Sequence, residues 1–323
     1  VPYLPLRTLE PAADAVAVYD AWLSELGEAL ERGDDRWELC RRTLTGLWYP
    51  HLADADPARL PLAARTALAQ MDARNVTLEP EYYAECDDEK FQARKPLIWM
   101  WQMFDRSSLG GNVHLGVRFR RLLAPYVFRR VGRNFKCFHF VEFSFGYNLE
   151  VGDDVVVHRN VLLDDRGGIV LGDRVSISDY ANIYSHTHDI VEQADVTNLV
   201  TRICDGVRIT YHATVLAGTT VGENGMVGAM ALATRDVRPY HVNVGVPARS
   251  VRVKPNAPAE PDRIRVEVYP VPRSGRLPDS ALAHAGTPSV RPRVGGTPPG
   301  SPMGGGGMNP PVEPKRIVPG GEP

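Results

Sequence analysis

A six-residue period governs the middle of this 323-residue chain and leaves few folds open to it. Val151, Val157, Leu163, Leu171, Ile177 and Ile183 follow one another at steps of six, with one step of eight, and Ile209, Val215, Val221, Val227 and Ala233 resume the rule. A second position keeps the same period with small or β-branched residues: Val155, Val161, Val175, Ala181, Ala213, Thr219, Gly225 and Ala231. An amphipathic helix repeats every 3.6 residues, and a hairpin sheet needs a turn roughly every 8–12, so neither yields two such registers. A triangular solenoid does. Each six-residue unit is then a short strand and a corner, three units make a coil, and the apolar residue points into a core shared by all coils. Gly152, Gly172, Gly222 and Gly228 follow inward residues, and polar pairs such as Asp153-Asp154 and Asp173-Arg174 form the corners.

The flanks read differently. Val16, Tyr19, Leu23, Leu26 and Leu30 lie on one helical face, with Asp14 as the expected N-cap and Gly33 as the stop. Further helices are expected over 35–49, 57–72 and 87–105, with Trp99, Trp101 and Phe104 as packing anchors. The stretch from Arg118 to Lys136 carries seven Lys/Arg interleaved with aromatics. It suits an anionic surface, or a helix that seals the first coil while its arginines stay solvated; every solenoid needs such a cap, which favours the second reading. FKCFHFVEFSF at 135–145 reads as the entry coil, with Val131, Cys137 and Phe143 inward. At the other end, 18 of the last 33 residues are Pro or Gly, too little apolar surface to offset chain entropy. The expected division is a helical region 1–130, a solenoid 131–255 and a disordered Pro/Gly-rich tail 256–323, for which a Pro-rich recognition segment is the alternative.

A hydrophobic content of 43% supports a sizeable core, and a net charge of −2 gives no overall reason to expect nucleic acid as a partner. Cys40, Cys86, Cys137 and Cys204 are far apart and form no CxxC pair, as expected of free thiols in a reducing compartment. The apolar run Leu97 to Phe104 is too short to span a bilayer, so no integral membrane segment is expected and the cytoplasm is the expected location.

Three segments, IYSHTHD at 183–189, VGENGMVGAMALATRDV at 221–237 and VNVGVPARSVR at 242–252, carry a resemblance over residues 151–255. The chain resembles the hexapeptide-repeat acyltransferases, most closely the maltose, galactoside and nodulation-factor O-acetyltransferase branch. Those proteins likewise end in a Gly-rich coil, a Thr-Lys/Arg-Asp corner and a Gly-Val-Pro-x-Arg exit. The resemblance implies a left-handed parallel β-helix, acetyl-CoA or another acyl-CoA as co-substrate, and a homotrimer with each active site between two subunits. It places the catalytic histidine at His188, which closes a repeat just before a loop leaves the solenoid. His186, where the family usually has a small residue, is the rival or assistant. Asn160 matches an asparagine near the acceptor hydroxyls, unless it builds a corner ladder. Gly218, Gly228 and Ala229 would line the pantetheine arm, Thr234 and Arg235 the adenine-proximal end, and Arg249 and Arg252 the phosphates. Tyr211 departs from the pattern, being bulky where a small residue often faces the arm.

The residues fit the chemistry so implied. A neutral imidazole, with an ordinary pKa of about 6.5, can take a hydroxyl proton at neutral pH, which Ser, Thr or Asn cannot. The expected activity is therefore O-acyl transfer, most simply of acetyl, to a hydroxyl of a sugar or glycan precursor within a ternary complex, without a metal. Two other readings remain open: a zinc-dependent carbonic-anhydrase-like β-helix using some of His158, His186, His188 and His212, and a non-catalytic trimeric scaffold. An amine acceptor also remains open.

Overall fold

The structure, a computed structural model, describes residues 9–259. Among the described residues six α-helices precede the solenoid: α1 (Ala13–Arg32), α2 (Arg36–Trp48), α3 (Leu62–Ala69), α4 (Asp88–Gln92), α5 (Lys95–Arg106) and α6 (Val113–Val127). Gly33 ends α1 at φ 76°, a left-handed conformation that costs glycine little, and its N–H returns to the carbonyl of Leu30. Asp14 is not the N-cap. Ala12 holds that place and Asp14 lies in the first turn, where its carboxylate accepts from the Ala15 N–H. The helix expected over 57–72 shortens to α3, because Pro61 forces Leu60 into an extended conformation. The helix expected over 87–105 divides into α4 and α5, since Pro96 has no N–H to continue the ladder.

The solenoid begins at Arg130, and its strands are two to three residues long except at the exit. The first coil is β1 (Arg130–Val131), β2 (Lys136–Cys137) and β3 (Glu142–Phe143), the second β4 (Leu149–Val151), β5 (Val156–Val157) and β6 (Leu162–Asp164), and the third β7 (Ile169–Leu171), β8 (Ser176–Ile177) and β9 (Asn182–Tyr184). A hairpin of β10 (His186–His188) and β11 (Val196–Asn198) interrupts the winding. The fourth coil is β12 (Thr201–Ile203), β13 (Arg208–Ile209) and β14 (Thr214–Val215), the fifth β15 (Thr220–Val221), β16 (Met226–Val227) and β17 (Leu232–Ala233). β18 (His241–Val244) continues the second sheet, and β19 (Arg249–Val253) folds back antiparallel onto it. The solenoid strands pair in parallel from coil to coil, giving the three sheets β1-β4-β7-β12-β15, β2-β5-β8-β13-β16-β18-β19 and β3-β6-β9-β14-β17.

Every inward residue of the six-residue rule is essentially sealed from solvent, from Val151 to Ala233. Each such Val, Leu or Ile contributes about 1.5–3 kcal/mol by its burial. The period returns earlier than expected, at Ile203 rather than near Ile209, because Ile203 pairs in register with Leu171 and Val221. The corners do more than face water: the Asp153 carboxylate accepts from the Arg133 N–H, Asp173 from Asp153 and Asp205 from Asp173, at 2.7–2.9 Å. A Cβ on Gly152 would lie 2.7 Å from the backbone of Gly172, so the coils approach too closely there for a side chain.

The basic segment caps the first coil. Arg120 is buried in an ion pair with Asp105, Arg121 donates to the Phe135 carbonyl, Arg118 pairs with Asp20, Arg129 and Arg130 reach Glu150, and Arg133 reaches Asp153. Five of the segment's seven cations thus pair with carboxylates, and Arg120, contrary to the expectation of solvated arginines, is buried. The α5 aromatics bind the helices to the coils: Trp101 meets Phe143 edge to face at 5.5 Å, and Phe104 stacks on Phe119 of α6. No helix among the described residues is long and apolar enough to cross a membrane. The tail expected over 256–323 lies, from residue 260 on, outside the described residues.

Candidate active site

The corners between the third and first sheets break the six-residue step in each of the first three coils, and the chemistry gathers there. In the second coil the step of eight inserts two residues, so that Asp164, Asp165 and Arg166 occupy one long corner. Asp165 is fully buried and accepts N–H bonds from Phe145 at 2.7 Å and Asn148 at 3.2 Å. Burial, with the Asp164 charge beside it, nevertheless pushes its carboxyl up to about 7. Arg166 runs the other way, into the helical region, where it pairs with Glu85 and sits 3.9 Å from the centre of the Tyr83 ring.

In the third coil the chain leaves the corner as the β10–β11 hairpin. Its base is pinned by the Leu199 N–H on the Ser185 carbonyl and by the Ser185 hydroxyl, which accepts from Gly167 and donates to the Asp164 carbonyl. Asp189 closes the first turn by accepting from Val191 and Glu192. This brings His186 onto Asp164: the imidazole Nδ1 bonds the Asp164 Oδ2. Burial alone would raise the Asp164 carboxyl. Bonds from His186, from the Ser144 hydroxyl at 2.9 Å and from the Ser185 N–H outweigh it and hold the group below the usual carboxylate range. His188 is exposed, its Nδ1 2.9 Å from the Gln193 carbonyl oxygen, and its ring stands edge to face with His186, 5.3 Å between centroids.

Each acceptor requires a hydrogen on Nδ1, and in the neutral tautomer that carries it Nε2 keeps its lone pair. A cavity of about 630 Å³ opens beside the pair, between α5, the 76–83 segment and the outer face of the third sheet; Asp164 and His186 line it, and His188 does not.

The other expected site residues are spread over the later coils. Gly218 (φ 75°), Thr234 and Arg235 fall on the same edge of the solenoid as the hairpin, and the Gly218 N–H donates to the Thr201 hydroxyl. Gly228 and Ala229 are on the corner between the second and third sheets, where a Cβ on Gly228 would strike Val244. Arg249 and Arg252 project from β19, both exposed. Asn160 occupies the corner at the far end of β6 from Asp164, in the left-handed region at φ 55°. Tyr211 is about half exposed, on a corner where Tyr180 and His212 stack. His158 stacks on Phe138, away from the His186 and His188 pair, and among the described residues no three His, Cys, Asp or Glu side chains converge as a metal site would need.

The galactoside O-acetyltransferase of Escherichia coli (strain K12) is 29% identical over 140 residues, which are 42% of this chain and 69% of that protein. The chain is a relative of the acetyltransferases. This bears out the resemblance carried by the three motifs, although no family model matches the chain. Other curated relatives are matched over 55–57% of their length. Among solved structures the chain is matched to a maltose O-acetyltransferase from Clostridium difficile 630 (25% identity, 54% of this chain and 91% of that one, TM-score 0.46) and to a galactoside acetyltransferase in complex with coenzyme A (24%, 60% and 92%, 0.47).

Sequence reasoning did not single out Asp164, Ser144 or Arg166. The step of eight was the available signal, since extra residues in a corner must leave the core and had no other visible purpose.

Proposed function

We propose that the protein is an acetyl-CoA-dependent O-acetyltransferase that acts on a hydroxyl of a sugar or glycan precursor. The observation that carries this reading is the histidine pair: two imidazoles with Nδ1 engaged and Nε2 free, at the solenoid edge beside a cavity, in a chain related to acetyltransferases. His188 takes the proton as the acceptor oxygen attacks the thioester carbonyl carbon. The C–S bond breaks, and the proton passes to the departing CoA sulfur. Holding donor and acceptor together supplies much of the rate, so no covalent enzyme intermediate is needed. The four cysteines suit this mechanism, because burial pushes every thiol up, Cys204 to about 11, and away from the thiolate a nucleophile would require.

In this reading Gly218, Gly228 and Ala229 border the pantetheine arm, Thr234 and Arg235 the adenine-proximal end, and Arg249 and Arg252 the phosphates. Asn160, a strand's length from Asp164, takes no part in proton transfer. The protein acts as a homotrimer. A second reading makes His186 the base, favoured by its bond to a buried carboxylate and its place on the cavity wall.

The test is release of free thiol from acetyl-CoA against a panel of sugars, nucleotide sugars and amines, with thermal shift by CoA alongside. A ligand at a hundred times its dissociation constant adds about 2.7 kcal/mol. Neither thiol release nor a shift would leave the scaffold reading in its place.

A further inference from the structure

One face of α5 turns from the buried Trp99 to polar side chains that packing does not explain. Trp99, Gln102 and Arg106 recur at i, i+3 and i+7, and all three line the cavity, opposite Glu142 and Leu162 on the outer face of the third sheet. Most of the helix is buried apolar surface, yet this stripe sets an amide and a guanidinium against open space. Arg106 donates to the Gln102 carbonyl of its own helix and, among the described residues, pairs with no carboxylate. Two other charged groups of the wall have ion-pair partners, Arg166 with Glu85 and Asp105 with Arg120, and Asp164 is hydrogen-bonded to His186. Glu142 and Glu79, the latter accepting from the Tyr83 hydroxyl, line the cavity along with Arg106, a balance that gives an anionic ligand no advantage. Planar polar groups in a cavity that Trp99 and Leu162 also line suit vicinal hydroxyls on a ring with apolar faces, and the volume is in the range of small-molecule sites.

We propose that Gln102 and Arg106 determine acceptor specificity: they hydrogen-bond the non-reacting hydroxyls of a neutral polyhydroxylated ring held in this cavity, a proposal that rests on the hydroxyl-transfer reading above. The helical region thus forms one wall of the acceptor site, and the solenoid supplies another that contains His186, against which His188 stands edge to face.

The probes are the methyl glycosides of glucose, galactose, N-acetylglucosamine and glucuronic acid, titrated into the full chain by tryptophan fluorescence and then used as acceptors. Gln102→Ala combined with Arg106→Ala should raise the Kd and KM of the best-bound glycoside at least tenfold. The KM of acetyl-CoA, the thermal shift by CoA and the melting temperature should not move, and Arg106→Lys should retain more affinity than Arg106→Ala. An unchanged Kd and KM in the double variant would overturn the proposal. So would wild-type protein that binds none of the glycosides, or that binds the glucuronide more tightly than the glucoside. Because binding is read without acetyl-CoA, these outcomes are separable from failure of the transferase reading, which would appear as absent thiol release with every acceptor.

Discussion

The rings of His186 and His188 stand edge to face, 5.3 Å between centroids, and their Nδ1 atoms turn to different acceptors, a buried carboxylate for the first and a backbone carbonyl for the second. Alternation along β10 leaves the residue between them, Thr187, on the opposite face of the strand. One ring is locked into the wall and the other can be reached from solvent, so one can orient while the other exchanges protons.

Replacing His188 with Ala should therefore lower turnover by about 100 to 10,000-fold, the range expected for loss of a positioned general base, with CoA binding little changed. His186→Ala should cost much less. The reverse result in a thiol-release assay would assign the base to the ring held by Asp164, and full activity in both variants would end the histidine-base mechanism.

Asp165 gives the fold an acid-side preference. Its folded value of about 7 lies above the ordinary 3.8, so the folded chain keeps a proton that the unfolded chain has lost between those limits. The contribution to stability is then complete below about pH 4, falls as pH rises toward 7 and is flat above. Asp164, held low, contributes in the opposite sense on acidification. Asp165→Asn does not titrate, so its deficit relative to wild type should be larger at pH 5 than at pH 8. Urea unfolding at the two pH values checks this, and an equal deficit would refute it.

The Asp105–Arg120 pair joins the helical region to the solenoid. Arg120 also donates to the carbonyls of Gly110 and Cys137, while Asp105 accepts from the Phe140 N–H of the first coil. Arg120→Ala leaves a carboxylate buried without its partner and should destabilise the protein by about 3–5 kcal/mol. A denaturation midpoint close to wild type would show that water reaches Asp105.

The solenoid was legible because its core residues recur at fixed intervals, and periodicity survives in a single sequence. Helix boundaries were less so: Pro61 and Pro96 each act within one turn, below the resolution of an apolar pattern. For the site, His188 and His186 were visible through a motif. Asp164 was not, because its partner lies 22 positions away in the next coil and nothing local marks the contact. The cavity was hidden for the same reason, since it exists only where α5 lies over the third sheet.

Four side chains on the corners between the second and third sheets, Phe140, Tyr180, Tyr211 and Met230, are 37–64% exposed, an apolar strip along one edge of the solenoid that Asn160 interrupts in the second coil. Such a strip suits contact with other copies of the chain. Light scattering at micromolar concentration should report a trimer, and Tyr211→Glu with Met230→Glu should shift it toward monomer. A monomeric wild type would contradict the assembly, and a trimeric double variant would place the interface elsewhere.

Arg249 and Arg252 test the proposed cofactor end of the site. Both stand exposed on β19, which is tied to β18 by an antiparallel ladder, so neither side chain supports the core. If they hold the phosphates of CoA, their interaction is the same in the ground state and the transition state. Arg249→Ala should then raise the KM of acetyl-CoA about tenfold and leave kcat nearly unchanged, with Arg252→Ala acting in the same direction but less. Dephospho-CoA should narrow the gap between wild type and whichever variant has lost the contact to the 3′-phosphate. A fall in kcat at unchanged KM would instead tie the arginines to the chemical step, and unchanged kinetics in both would move the phosphate site away from β19.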